Sequence, residues 1–214
     1  MDTDKPKSII YPLFATPIMV CGDQYNTNVD ELNYIKNLNN VHHDHSFITP
    51  GNENRRTTNS NILESFELST VKQFCLKWLN FYVHEFLFIT KSTEFYITQS
   101  WCNYNSTGDI HGAHTHSNSL ISGVLYIQGK DTPTIFYREN EMFPLKFNYE
   151  SRDMNNCEAY VMDAEVGKLF IFPSNIKHSA AENKTDTERI SLAFNTWATG
   201  EFGAEKNSNW LKLK

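Results

Sequence analysis

From Phe95 onward the chain is written in short runs with a period of two: FYITQSWCNY, SLISGVLYIQ, TPTIFYRE, CEAYVMD, GKLFIFP and RISLAFNTWA. Alternation of apolar and polar residues marks strands with one buried face, and the Gly, Pro, Asn and Asp clusters between the runs supply turns. No helical pattern separates these strands. A doubly wound α/β sheet needs a crossover helix after each parallel strand, so that architecture is excluded. Antiparallel strands closing on themselves as a barrel or jelly roll remain.

Helical periodicity is confined to the first part of the chain. Asn28 precedes Val29, Leu32, Ile35 and Leu38 at helical spacing, with Glu31 placed to complete a capping box. A longer pattern runs from Asn61 to about Phe88, where Phe66, Val71, Phe74, Cys75, Trp78, Leu79, Tyr82, Val83 and Phe86 share one broad face. His84 within it reads as a surface or satisfied core histidine. The expected class is therefore α+β, mainly β, with N-terminal helices packed outside a barrel. A chain of 214 residues that is 40% hydrophobic suffices for one domain with a full core. Within it we expect an arm and supporting helices over 1–94, a β core over 95–200 and a tail over 201–214. Ser8 to Met19, broken by Pro12 and Pro17, reads as an edge strand or extended arm. The polar stretch with His42, His43 and His45 reads as a solvated loop. The interval 138–156 is long for a hairpin connection, and Phe143, Phe147 and Tyr149 there are candidates for covering a site. Trp210 is a candidate for docking the tail.

A formal charge of −6 and a pI near 5.7 argue against a broad electrostatic grip on nucleic acid. No apolar run approaches the ~20 residues of a membrane span, and the polar start MDTDKPK lacks a signal-peptide core. A soluble cytoplasmic protein is expected. Cys21, Cys75, Cys102 and Cys157 lack metal-binding spacing and read as thiols in a reducing compartment. The sequons at Asn105 and Asn183 then carry no glycan.

Chemistry concentrates in two stretches, GDIHGAHTHSNSLISGVLY and FPSNIKHSAAENKTDTERIS. In an extended strand, His114 and His116 point to the same face as a chelating pair. His178 is the best third imidazole, expected to lie across a barrel from the first two. His111 falls off their face in a regular strand. Asp109 and Asp163 are the available carboxylates, neither at ligand spacing. Three imidazoles suit iron(II) with open positions and equally suit zinc. Further along, Arg189, Ser191, Ala193 and Asn195 share one face of a strand while Ile190, Leu192 and Phe194 take the other. An arginine pointing into a barrel calls for a carboxylate. Glu188 or Glu182 would make that an ordinary salt bridge, whereas a ligand carboxylate would make it a binding site.

The order Trp101, Asn103, HTH, SGVLYI, GKLFIFPSNIKH and ERISLAFN resembles the iron(II)- and 2-oxoglutarate-dependent oxygenases, above all a group common in marine bacteria and their phages. The opening LFATPI extends the likeness over most of the chain. The resemblance implies a double-stranded β-helix, the cupin-like jelly roll, in a bacterial or phage-infected cell. It implies Fe(II) on His114, His116 and His178, with 2-oxoglutarate as cosubstrate and O2 as oxidant. Arg189 and Ser191 would grip the far carboxylate of 2-oxoglutarate. Tyr104, ten residues before His114, would assist, with Asn103 and Tyr126. His111, Trp101 and Asn195 would support the ligands or face the substrate, a small molecule or a protein side chain. Hydroxylation with release of succinate and CO2 would follow. The chain departs from the common pattern where His116 replaces an Asp or Glu, leaving the metal site one unit more positive. Two other readings stay open: a three-histidine cupin-like enzyme without 2-oxoglutarate, such as a thiol dioxygenase or zinc hydrolase, and a non-catalytic jelly-roll binding or structural module.

Overall fold

The computed structural model describes residues 13–42, 54–130, 133–139 and 144–214. Residues 8–12 of the expected arm, His43, His45 and Phe143 lie outside them. The six expected strands all form, as β4 (Thr93–Asn105), β6 (Ile121–Gln128), β7 (Thr134–Tyr137), β8 (Ala159–Met162), β9 (Leu169–Pro173) and β11 (Arg189–Phe202). Others join them: β1 (Met19–Val20), β2 (Asn40–His42), β3 (Arg55–Thr57), β5 (His111–His114), β10 (His178–Ala180) and β12 (Leu211–Leu213). Five of these have only two or three residues, too few for a period to show, and β5, HGAH, carries no apolar alternation.

Among the described residues the named strands all pair antiparallel and divide into two sheets. One is eight-stranded, ordered β1-β9-β6-β11-β4-β3-β2 with β12 on the end of β11; the other is four-stranded, ordered β5-β10-β7-β8. From β4 to β11 the chain crosses repeatedly between them, which is the jelly-roll path. The sheets remain separate among the described residues, rather than hydrogen-bonded into a closed barrel. The long β4 and β11 form the spine, paired from Arg189 opposite Asn105 to Gly200 opposite Thr93, with a bulge between Asn195 and Thr196.

The helices cover the outer face of the larger sheet. Helix α1 (Val29–Lys36) starts at the expected capping box: Asn28 Oδ1 accepts from Glu31 N, and Glu31 returns a carboxylate to Asn28 N. Helix α2 (Ser69–Asn80) buries Val71, Cys75 and Leu79. The longer expected helix is broken at both ends. Two 3₁₀ turns (Ile62–Glu64, Phe66–Leu68) precede α2, and a π turn (Phe81–Phe86) follows. Phe66 therefore stands outside the apolar stripe at 88% exposure, while Leu63 and Leu68 take the buried positions. The wider π turn rotates Tyr82 and Val83 inward and leaves Phe86 half exposed. His84 is satisfied locally, its Nδ1 2.9 Å from Ile89 O.

Between the helices and the larger sheet, Ile35, Leu68 and Leu79 meet Cys102, Leu125, Ile190, Leu192 and Phe194. A smaller cluster of Tyr126, Phe136, Phe170, Phe172 and Ile176 fills part of the space between the sheets. Gly123 is needed for close packing: a Cβ there would sit 2.2 Å from Phe194 Cζ. All four cysteines are free thiols, and Cys157 is half-buried rather than buried. Burial raises the Cys21 thiol pKa to about 12. The tail docks through β12, not through Trp210, which stays 45% exposed. No described helix is long and apolar enough to cross a membrane.

Candidate metal centre

The two sheets leave an open cleft between them, with a cavity volume of about 40 Å³. Its wall on the larger sheet carries Trp101, Asn103, Arg189 and Ser191, and the opposite wall carries His111, His114 and His178, with His116 between. Among the described residues no carboxylate lines it.

His114, His116 and His178 each offer a ring nitrogen, and these atoms lie within 4.8 Å of one another. His116 Nε2 and His178 Nε2 stand 3.2 Å apart. The local route to this geometry differs from the sequence expectation in two ways. Strand β5 ends at His114, so His116 is not its strand neighbour; it is set by its main-chain N–H, which donates to Ser174 O at 2.9 Å. His178 is not across a barrel either. It is the direct cross-strand partner of His114 in the β5/β10 pair. Facing residues on adjacent antiparallel strands bring their side chains as close as an i, i+2 pair does, so two routes give one cluster.

The Nδ1 atoms of His114 and His178 face the carbonyls of Gly112 and Ile176, at 2.8 and 3.0 Å. A ring N–H held at Nδ1 leaves the Nε2 lone pair for a cation. Burial, then the neighbouring His178 and His114, lower the His116 pKa to about 3. Burial and His114 lower His178 to about 4. Both rings are thus neutral at ordinary pH, the form a metal requires. His111 stacks on His114 with ring centroids 4.6 Å apart. Trp101 lies 5.7 Å from the His116 ring and donates Nε1–H to Asn103 Oδ1 at 3.1 Å.

Arg189 is 5% exposed, and among the described residues no carboxylate pairs with it. Glu188 pairs instead with Arg55, and Glu182 is exposed. The Arg189 guanidinium lies over the Tyr126 ring at 5.4 Å, and its Nε has no partner. Desolvation lowers its pKa, partly opposed by Tyr126. A desolvated cation with a spare donor beside a cleft is a site for an anion.

Tyr126 does not line the cleft. It is buried behind Arg189, with its hydroxyl bonded to Thr134 Oγ1. Tyr104 is a correction. Strand alternation turns it away from the cleft into the helix-side core, where its hydroxyl donates to Ile35 O at 2.7 Å. Asp109 shapes a turn by accepting from Ser106 N, and Asp163 is exposed, so neither replaces a histidine. Phe147 and Tyr149 do not line the cleft; Arg152 covers Tyr149 instead. Sequence reading missed Thr134, Ser179 and Ala180 on the cleft wall. Small residues of this kind carry no signal before the strands are placed.

Fold and site together define a jelly roll in which three histidines converge as a group that could hold a metal ion. Residues 99–195, which contain the whole candidate site, match the family described as "Putative 2OG-Fe(II) oxygenase". Comparison with curated proteins finds no match. Solved structures agree in fold. HygX from Streptomyces hygroscopicus, crystallised with nickel, 2-oxoglutarate and hygromycin B, is 10% identical over 85% of this chain and 82% of its own, with a TM-score of 0.54. SnoN, an alpha ketoglutarate dependent epimerase from nogalamycin biosynthesis, is 11% identical over 81% and 73%, at 0.55. A prolyl-4-hydroxylase from Pseudomonas putida is 12% identical over 84% and 92%, at 0.53.

Proposed function

We propose that this protein is an Fe(II)- and 2-oxoglutarate-dependent dioxygenase that hydroxylates a small molecule or a protein side chain. The observation that carries this reading is Arg189, buried on the cleft wall with no acidic partner among the described residues, beside three convergent imidazoles. The donor set fits the cofactors. His114, His116 and His178 would hold iron, and Arg189, with the Ser191 hydroxyl beside it, would take the far carboxylate of 2-oxoglutarate. When bound, iron(II) and 2-oxoglutarate supply the coupled oxidation in which one atom of O2 enters succinate, CO2 is released and the other atom hydroxylates the substrate.

The protein's own part is placement and exclusion. Tyr126 and the aromatic cluster behind it keep water from Arg189, which strengthens its hold on a carboxylate. Trp101, Asn103 and His111 remain on the open side, where a substrate would meet the metal. A neutral His116 in place of a carboxylate leaves the centre more positive, which favours anionic ligands.

The test is anaerobic titration of iron(II)-loaded protein with 2-oxoglutarate, read by the weak visible charge-transfer band of the chelate. The band is expected in the wild-type protein and not in His178→Ala. Metal binding without the band and without 2-oxoglutarate uptake would overturn the proposal. It would favour a three-histidine enzyme of the thiol dioxygenase or zinc hydrolase type, which the all-imidazole set also suits.

A further inference from the structure

Two neighbouring arginines on β3 are used in opposite ways. Arg55 is paired with Tyr104 across the strands, lies over that ring at 5.6 Å, donates to Asn40 Oδ1 at 3.0 Å and forms an ion pair with Glu188. Its guanidinium is committed to the fold. Arg56 is the next residue, so its side chain leaves the opposite face, the one that forms the cleft wall. It is exposed, and among the described residues no hydrogen bond or ion pair holds it. Its cross-strand partner is Asn103, whose own partner on β11 is Ser191. Arg56, Asn103 and Ser191 therefore form one row across three strands, with Arg56 at the outer end.

The middle of that row carries a second unmatched donor. Asn103 is 8% exposed and lines the cleft. An indole N–H can only donate, so the 3.1 Å contact with Trp101 Nε1 fixes Asn103 Oδ1 on that side. The other end of the amide, Nδ2, then has protons that no described residue accepts. A buried donor is costly to leave unmet. Arg189 does not serve the same point. It stands on β11 in the neighbouring row, opposite Asn105, and β4 separates its strand from β3, a distance of about 10 Å across the sheet. With no carboxylate among the described lining residues, this outer stretch of wall offers donors and a positive charge without an acid to neutralise them.

We propose that Arg56 and Asn103 Nδ2 form an anion subsite at the outer end of the cleft, separate from that of Arg189, and that it receives a carboxylate or phosphate carried by a small-molecule substrate. The assignment to substrate rests on the oxygenase reading above, whereas the anion subsite itself does not. The two donors divide the work. Asn103, buried and held by Trp101, sets direction, while the planar guanidinium of Arg56 supplies charge and a two-pronged grip. Arg189 then takes the acid of the cosubstrate and Arg56 that of the substrate, with β4 between them keeping the two acids apart.

The probes are inorganic phosphate and acetate, each titrated at constant ionic strength into isotope-labelled full-length protein, first metal-free and then loaded with zinc(II) and 2-oxoglutarate. The readouts are the nuclear magnetic resonance signals of the Asn103 side-chain amide and the Trp101 indole N–H. Both signals are expected to shift saturably in both states, with the tighter-binding probe naming the anion. Arg56→Ala, at an exposed position, should keep the melting temperature and weaken binding roughly 10-fold. Asn103→Asp keeps an acceptor for Trp101 but replaces the donors with a negative charge, and should abolish the indole shift. Arg152→Ala removes an exposed charge elsewhere and should change nothing. No shift with either anion, a shift that survives Arg56→Ala, or one that falls equally with Arg152→Ala overturns the subsite. Shifts that vanish once 2-oxoglutarate is bound give these donors to the cosubstrate and overturn the substrate assignment. Failure to take up zinc or 2-oxoglutarate tells against the oxygenase reading instead, and the metal-free titration still decides the subsite.

Discussion

The two faces of β11 lie one side-chain layer apart and obey opposite rules. On one, Ile190, Leu192 and Phe194 are fully buried against the helices, each filling space and leaving no polar atom unmet. On the other, Arg189, Ser191 and Asn195 are almost as buried, yet each is a polar group held for something other than packing, and Arg189 keeps a donor unused. Burial alone therefore does not separate core from site. What separates them is whether the buried groups satisfy one another.

Substitutions on the two faces should then fail differently. The largest effect is expected from Phe194→Ala, which empties a fully buried aromatic position and should cost about 3–5 kcal/mol in chemical unfolding. Any 2-oxoglutarate binding by the folded fraction should survive. Arg189→Ala should do the reverse. Loss of one charge-assisted bidentate contact weakens 2-oxoglutarate binding on the order of 100-fold, while the melting temperature holds or rises because a desolvated cation has been removed. An Arg189→Ala protein that melts much lower, with 2-oxoglutarate affinity unchanged, would place Arg189 with the core and erase the distinction. Gly123→Ala tests the seam between the faces. Its new Cβ meets the Phe194 ring, and overpacking should cost about 1–3 kcal/mol.

Acidification sharpens the same contrast. His116 and His178 have folded pKa values of about 3 and about 4, below the ordinary 6.5 of an exposed ring. The unfolded chain therefore binds more protons than the metal-free native state below about pH 6.5, and stability should fall as pH drops from there toward 4. His178→Phe should flatten that slope, as measured by urea midpoints across the range. The smallest effect is expected for Tyr104→Phe. It removes one buried hydrogen bond, costing about 1 kcal/mol, and should leave 2-oxoglutarate binding untouched.

Much of this was legible in the linear order of residues. Period two identified the six longer strands and sorted β11 into its two faces, because side-chain direction in a strand follows from local geometry alone. The capping box at Asn28 was equally local. Tyr104 shows the limit. Its distance in sequence from His114 suggested a cosubstrate contact, but the strand's alternation sends it to the opposite face, a fact that counting residues between motifs ignores. The 3₁₀ and π turns flanking α2 escaped for a related reason: a one-residue change in helical winding rotates every later side chain, while the composition stays that of a helix.

By itself the sequence determined which residues were available as ligands, the antiparallel class of fold, and that Arg189 would share a face with Ser191 and Asn195. These are properties of neighbours along one strand. Only the tertiary structure decided that His178 is the cross-strand partner of His114 and that Glu188 belongs to Arg55 rather than Arg189. Each of those depends on which strands pair and in what register, and register is set by packing contributions summed over the whole sheet, which no short stretch of residues contains.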